Sequence, residues 1–420
     1  MGSTLQLDER EQRWLSGADG EAMRLAMQMM VTAADVSDAT EFVEIEFAHI
    51  NSSFYSGQVS LDFAEFLLAN GGSFAVPTHT NASLIDCSTP ELRAEHDHPV
   101  EVGGARRLMA IYAELGASAM WSCAPYAEPT GRPRQGAHVV GSESNAVSFF
   151  NSVLGARTNK YGDFIDVCAA MTGRVPLAGL HTDAGRRASH VFDLTGLSGE
   201  ELADSTLPHV LGIILGHEAG SAIPVVVGLD TATEDDLKAI AAAGGTSGAV
   251  EMFHVVGVTP EARTLDAATA GVVPAGRTIV DSALVRSTRA RLSTSTTAPL
   301  SAVCLGTPHF TASEFAGLRA ALDGRPVDGR VQLLVTTSRA VLAEIAAHGW
   351  DDELRSLGVQ IVLDTCTYYS PRARGVDGLV MTNSAKWAYY APGILGVDVA
   401  FGSLPECVDA AVSGKVGRRD

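Results

Sequence analysis

Apolar residues recur at spacings of three and four along residues 8–15 and 20–32, with Met23, Met27, Met29 and Met30 on the inward faces, which predicts a helical scaffold over 8–35. A β-rich run follows at 42–50. Polar Asn51, Ser52, Ser53 and Gly57 then mark a turn, 61–70 reads as a helix closed by Gly71 and Gly72, and 74–76 returns to strand. That order of strand, polar turn, helix, glycine and strand is a βαβ rhythm, and it comes back twice. In the first recurrence 210–215 and 223–229 are expected strands, 233–243 an amphipathic helix and 251–258 a strand. In the second, strands are expected at 300–305, 331–336, 359–363 and 378–381. They alternate with helices at 311–322, which a capping-box pattern from Thr311 to Glu314 introduces, and at 338–348. A last helix is expected at 404–412.

These units divide the chain into an N-terminal region 1–205, a middle unit 206–292 and a C-terminal unit 293–420. Linker composition occurs at 127–135, rich in proline and glycine, and at 292–299, polar and small. No fixed-period repeat, heptad or charge block is present. In an open α/β sheet reactive groups collect beyond the carboxyl ends of strands, where His309, Cys366 and the Thr382–Lys386 stretch fall.

With 420 residues, 46% hydrophobic and 19% charged, the chain has a globular, enzyme-like composition. A net charge of -19 lacks the basic surface that phosphate-backbone binding needs, so nucleic acid is not expected as a partner. The apolar stretches at 207–215 and 223–229 stop short of the roughly 18 residues a membrane span needs, and the start of the chain turns acidic at once. A cytoplasmic location is expected, with no membrane partner. The six cysteines form no CxxC pair and are expected as reduced thiols. Only four lysines occur against 26 arginines, which singles out any lysine inside a motif.

The densest polar segment runs GSESNAV from Gly141 and NSVLGARTNKYGD from Asn151. One reading is a helix capped by Ser142 or Ser144; the other is a ligand site in which Arg157 and Lys160 together hold a carboxylate. In MTNSAKWAYYAPG, Asn383 or Ser384 is a candidate cap of a helix whose N-terminus also suits an anion.

Taken in order, FAHINSSFYSG (47–57), WSCAPY (121–126), the 141–183 segment, GTPHFT (306–311), DTC (364–366) and MTNSAKWAYYAPG (381–393) resemble the large subunit of the aconitase X family over nearly the whole chain. The run from Glu143 to Asp163 is the most specific part. The resemblance implies an α/β large subunit of three packed α/β units around a central cleft, lacking the swivel domain of the superfamily. Because the sequence ends at Arg418, Arg419 and Asp420, that domain is expected from a separate small subunit, which would also carry the serine base that other members place on it.

The resemblance further implies a hydro-lyase that uses an iron-sulfur cluster as a Lewis acid. Members dehydrate cis-3-hydroxy-L-proline to Δ1-pyrroline-2-carboxylate or, in archaea, mevalonate 5-phosphate. No glycine-rich phosphate cradle is evident, so hydroxyproline is the expected substrate. Another hydroxy acid, or a non-catalytic binding subunit that has lost its cluster, are the alternatives. The motifs assign Cys123 and Cys366 as metal ligands. Thr307 stands where a third cysteine often precedes Pro-His, which leaves a [2Fe-2S] cluster, or one otherwise smaller than [4Fe-4S], or a mononuclear iron, completed by Cys304, His309 or another chain. Cys168 and Cys407 are expected as core fillers. Lys386, Ser384, His309 and Glu143 are the catalytic candidates. His49, Ser144, Asn145, Asn151, Arg157, Thr158, Asn159, Lys160 and His181 are the substrate-binding ones.

Overall fold

The computed structural model describes residues 5–93 and 98–417; the end Arg418–Asp420, on which the expectation of a separate swivel subunit rests, lies outside them. Helices Glu9–Ser16 and Glu21–Val36 form the predicted scaffold, the first opened by a capping box between Asp8 and Glu11. Met27 and Met30 are fully buried.

The β-rich run divides between two sheets. Phe42–Glu44 pairs antiparallel with Arg174–Pro176, whereas Phe47–Ile50 is the middle of a parallel sheet ordered Thr78–Thr80, Phe47–Ile50, Val139–Gly141. The strand expected at 74–76 forms at 78–80, after Pro77. A second parallel sheet is ordered His254–Val255, Pro224–Val227, His190–Asp193, Gly276–Ile279. His190–Asp193 therefore belongs to the middle sheet although it precedes residue 205. The third sheet is ordered Val359–Leu363, Gln332–Thr337, Leu300–Phe310, Leu379–Thr382, Asp398–Phe401; the first four lie near the predicted positions, and Asp398–Phe401 is an edge strand that the sequence pattern did not predict. The polar 292–299 segment joins the second sheet's region to the third, and Thr294 binds Asp398 there.

One element differs in kind: residues 210–215 lie inside the helix Leu207–Glu218. An apolar run of this length suits a buried strand or a helix buried all round. Here Pro208 sits in the first turn, and the helix is enclosed by the helix Glu234–Ser247. The two backbones nearly touch. A Cβ on Gly212 would stand 2.7 Å from the Ile240 carbonyl oxygen, and one on Gly248 would stand 1.7 Å from that of Gly216. Among the described residues no helix is long and apolar enough to cross a membrane.

The interior holds neutral histidines. Burial pushes the imidazoles of His49 and His79 down to about 4 and that of His181 to about 3. In the unfolded chain they take up protons near pH 6.5, so between pH 6.5 and 4 the unfolded state binds more protons and stability falls as pH falls. Each group contributes up to about 1.4 kcal/mol per pH unit in that window. Asp166 acts the other way: burial pushes it up to about 6 against its hydroxyl donors, so its contribution grows as pH falls through 6. His138, His209 and His254 are lowered in the same sense, and Glu128, Glu251 and Glu314 are raised with Asp166; because imidazoles titrate at higher pH than carboxyls in the unfolded chain, the histidines dominate and predict a urea midpoint that drops when pH is lowered from 7 to 5. A midpoint that holds or rises over that interval would show that these rings take up protons in the folded state without cost.

Candidate functional site

The strand Leu300–Phe310 pairs with Gln332–Thr337 in register up to Leu305 and again at Phe310, and between them the ladder is interrupted. Interruption leaves carbonyls in the interior without ladder partners, and buried carbonyls need donors. Side chains supply them: Thr336 Oγ1 to Gly306, Ser384 Oγ to Thr307, Lys238 Nζ to His309 at 2.9 Å and Thr337 Oγ1 to Phe310 at 2.8 Å. Gly306, at φ +86°, is needed for this detour, since a Cβ there would lie 2.2 Å from the Thr336 carbonyl oxygen. The detour holds His309 wholly buried inside the strand, rather than beyond its end.

His309 meets both motif cysteines. Its amide donates to Cys123 Sγ at 3.4 Å, its Nε2 is 3.8 Å from Cys366 Sγ, and the two sulfurs are 3.9 Å apart. Ligand atoms of the three residues lie within 4.8 Å of one another, all buried. Two thiolates on one tetrahedral ion with metal–sulfur bonds of ~2.3 Å would be about 3.8 Å apart, so the spacing suits a shared metal. Two sulfurs and an imidazole are donors that iron and zinc favour. Burial pushes the Cys123 thiol up, but the hydrogen bond with Cys366, the His309 ring and the Lys386 ammonium nearby outweigh it and hold the thiol below its ordinary value. Cys366, beside Cys123 and buried, is pushed well up. A cation between the two sulfurs would favour thiolates at both.

Fixed polar groups surround this set. His309 Nδ1 is 3.1 Å from Ser122 Oγ and its Nε2 is 3.0 Å from the Thr365 carbonyl oxygen. A carbonyl oxygen only accepts, so Nε2 carries the proton toward Thr365 and Nδ1 accepts from the Ser122 hydroxyl; Nε2 would give up that proton on binding a metal. The Ser122 carbonyl accepts from His49 Nε2 at 2.9 Å. Arg93, fully buried, donates to the carbonyls of Cys366 at 2.7 Å and Pro371 at 2.8 Å and to Thr365 Oγ1 at 3.1 Å. The Thr307 hydroxyl is buried with no hydrogen-bond partner. An oxygen ligand or a water in the site would satisfy it.

Next to the thiols lies a buried ion pair. Glu143, rather than Ser142 or Ser144, caps the helix Ser144–Ser152, accepting from the amides of Asn145 at 2.8 Å and Ala146 at 2.9 Å. Its other oxygen binds Lys386 Nζ, which is 3.4 Å from Ser144 Oγ. Burial opposes both charges, yet their mutual attraction holds the carboxyl below and the ammonium above their ordinary values. Asn145 links the pair to the metal ligands through Nδ2, which donates to the Cys123 carbonyl at 2.8 Å, and its amide oxygen accepts from the Tyr126 hydroxyl. Ser384 caps the helix Ala385–Leu395, accepting from the Trp387 amide while donating to Thr307.

The structure therefore brings Cys123, Cys366, His309, Glu143, Ser144, Asn145, Ser384, Lys386 and His49 into one connected network. The remaining candidates sit elsewhere in their bonding. Asn151 serves Thr158, Glu251 and Arg186; Thr158 Oγ1 accepts from the Gly141 amide; Asn159 binds the backbone of Ala178 and Leu180. Arg157 and Lys160 share a loop but not a partner. Arg157 binds Asp183 and the His181 carbonyl, whereas the Lys160 amide reaches Glu251 and its side chain borders an open cavity beside the Glu21–Val36 helix. His181 lies between Tyr161, at 2.7 Å, and His138, at 2.9 Å. Cys304 is a core residue whose thiol burial pushes up to about 12, and Cys168 and Cys407 are likewise core. Arg93, Ser122, Asn145's partner Tyr126 and Lys238 are the site's supports that the sequence did not single out. Only Ser122 and Tyr126 carried a signal, as neighbours in WSCAPY.

Comparison with known proteins places this geometry in context. Residues 4–184, 188–290 and 300–413 match the family descriptions Aconitase X first domain, Aconitase X second domain and Aconitase X third domain. The chain is 39% identical to a cis-3-hydroxy-L-proline dehydratase of Hypocrea jecorina and 41% identical to one of Pseudomonas aeruginosa. These alignments span 99% and 97% of this chain and 70% of each relative. It is 32% identical to the phosphomevalonate dehydratase large subunit of Methanothermobacter thermautotrophicus, over 94% of this chain and 96% of that one. The crystal structure of Thermococcus kodakaraensis aconitase X in its holo-form superposes with a TM-score of 0.86 at 26% identity, covering 97% of this chain and all of that one.

The supports can be tested without turnover. Arg93→Met would leave the Cys366 and Pro371 carbonyls buried without their donor, so we expect a loss of about 2–4 kcal/mol in urea unfolding. In a Cys87→Ser background, which removes the exposed thiol, the same change should let a thiol reagent reach Cys123 and Cys366 in the native protein. Unchanged stability and protected thiols would show that Arg93 is not their brace.

Proposed function

The chain belongs to the aconitase X family and is a hydro-lyase, and on that premise we propose that it dehydrates cis-3-hydroxy-L-proline to Δ1-pyrroline-2-carboxylate. The observation that carries the reading is the buried Cys123–His309–Cys366 group beside the Lys386–Glu143 pair. The choice of substrate is supported by the higher identity to the two hydroxyproline dehydratases than to the phosphomevalonate enzymes.

The donor set suits an iron or iron-sulfur centre smaller than a four-iron cluster, held by Cys123 and Cys366 with His309 beside them. Such a centre supplies a Lewis acid for a hydroxyl, which is otherwise a poor leaving group. The rest of the chemistry falls to side chains. Dehydration breaks the C2–H and C3–O bonds. The C2–H pair becomes the C2–C3 double bond, oxygen leaves with a proton as water, and the resulting enamine tautomerises to the Δ1 imine. Negative charge gathers at the carboxylate as the proton departs, and the buried Lys386 ammonium answers it, aimed by Glu143. Ser144 adds a hydroxyl at the same spot. Because Lys386 is held as an ammonium and Glu143 below its ordinary carboxyl value, neither is poised to accept the C2 proton. We assign that base to a small swivel-domain subunit of aconitase X type.

Anaerobic purification with and without that subunit, iron and sulfide quantitation, and assays on cis-3-hydroxy-L-proline and mevalonate 5-phosphate test the reading together. We expect iron in the chain and turnover of hydroxyproline by the complex alone. Full turnover by the isolated chain would remove the need for a partner, and turnover of the phosphorylated substrate alone would reassign the enzyme. Lys386→Ala should lower kcat with little change in KM, on the order of 2.7–4 kcal/mol by analogy with a lost oxyanion donor. Turnover within a few-fold of wild type would exclude Lys386 from the chemistry.

A further inference from the structure

Along the Gly306–Phe310 stretch of the strand, the carbonyls of Gly306, Thr307 and Phe310 each accept from a threonine or serine hydroxyl, whereas that of His309 accepts from a lysine. A hydroxyl would have met the same need. Lys238 is 3% exposed, and its charge is answered by Glu314, itself fixed as the capping-box residue of the helix Ala312–Leu322. A buried pair of this kind adds little net stability, because the cost of removing two charges from water offsets their attraction. Its presence at the one carbonyl that belongs to a metal-site residue points to a role in geometry.

We infer that Lys238 is a positioning residue for the metal site, acting through the His309 backbone. His309 is held from three sides: its amide reaches Cys123 Sγ, its ring lies between Ser122, Thr365 and Cys366, and its carbonyl is held by Lys238. Loss of the third hold removes the side-chain anchor from the peptide that follows His309, at the edge of the stretch where the ladder is interrupted. Lys238 is rigidly seated for the task. It lies on the Glu234–Ser247 helix, whose first turn also grips Thr311 and Ser313 through Asp235. Farther along, that helix meets the start of the Ser144–Ser152 helix, where a Cβ on Gly245 would stand 3.0 Å from the Ser144 carbonyl oxygen. One helix thus sets the spacing between His309 and the Glu143 cap.

The inference rests on the Cys123–His309–Cys366 group binding a metal, so the test separates the two. The metal-free full chain is titrated with Co2+, under a competing chelator, and thiolate-to-metal and visible bands are followed. Wild type should bind one ion and His309→Ala should bind it more weakly; no binding by wild type would overturn the metal reading and this inference with it. Lys238→Met should weaken Co2+ binding about 10- to 100-fold, the usual cost of losing a group that orients a ligand. Lys238→Met leaves Glu314 buried and uncompensated, so Lys238→Met/Glu314→Met, which removes the pair together, is measured beside it. The double variant should show the same loss of affinity with a smaller drop in metal-free melting temperature than Lys238→Met alone, because no uncompensated charge is left buried. If it binds Co2+ within two-fold of wild type, with unchanged bands, Lys238 does not position the site.

Discussion

Between Glu143 in the first domain and Lys386 in the third, two charges are withdrawn from water together, and neither could remain there alone. That condition ties the start of the Ser144–Ser152 helix to the start of the Ala385–Leu395 helix. Much else takes its place from it. Asn145, adjacent to the cap, reaches the Cys123 carbonyl, and Ser384, two residues before the lysine, reaches the Thr307 carbonyl. The thiols and the imidazole are thus held at separations fixed by groups whose first requirement is to satisfy a buried charge.

The parallel sheets explain why these residues meet. Gly141, Phe310, Leu363 and Thr382 each end a strand, and Glu143, Cys366 and Lys386 follow within a few residues, while His309 is the penultimate residue of its strand. Carboxyl ends of parallel strands offer unpaired backbone and open space, so polar chemistry gathers there. Here three stretches distant in sequence are brought to one buried volume, and Cys123 enters from a segment that runs beside the first sheet.

Where a pattern was local, the sequence was readable. The strands at 331–336 and 359–363 and the capping box at Thr311 depend on neighbours a few residues away, and they form within a residue or so of expectation. The helix at 207–218 was misread because its apolar residues face partners on all sides, which erases the periodicity that distinguishes helix from strand. Glu143 as cap was hidden among three polar candidates in a row. Arg93 and Lys238 carried no local mark at all, since an arginine or lysine reads as solvated until a distant carbonyl claims it; the partners lie 273 and 71 residues away. The motif cysteines were legible through resemblance, whereas the detour that brings His309 to them depends on ladder pairing between separate strands.

The near contact of the Leu207–Glu218 and Glu234–Ser247 helices bears on how this protein can diverge. Where backbones approach within a methyl group's width, as at Gly212, Gly216 and Gly248, no side chain can be accommodated unless a helix moves. Movement of the second helix would displace Lys238 and the seat of Ser144 together. Positions with no functional group of their own are therefore among the least free to drift over evolutionary time. Their immobility would be mistaken for chemistry by anyone counting unchanged residues.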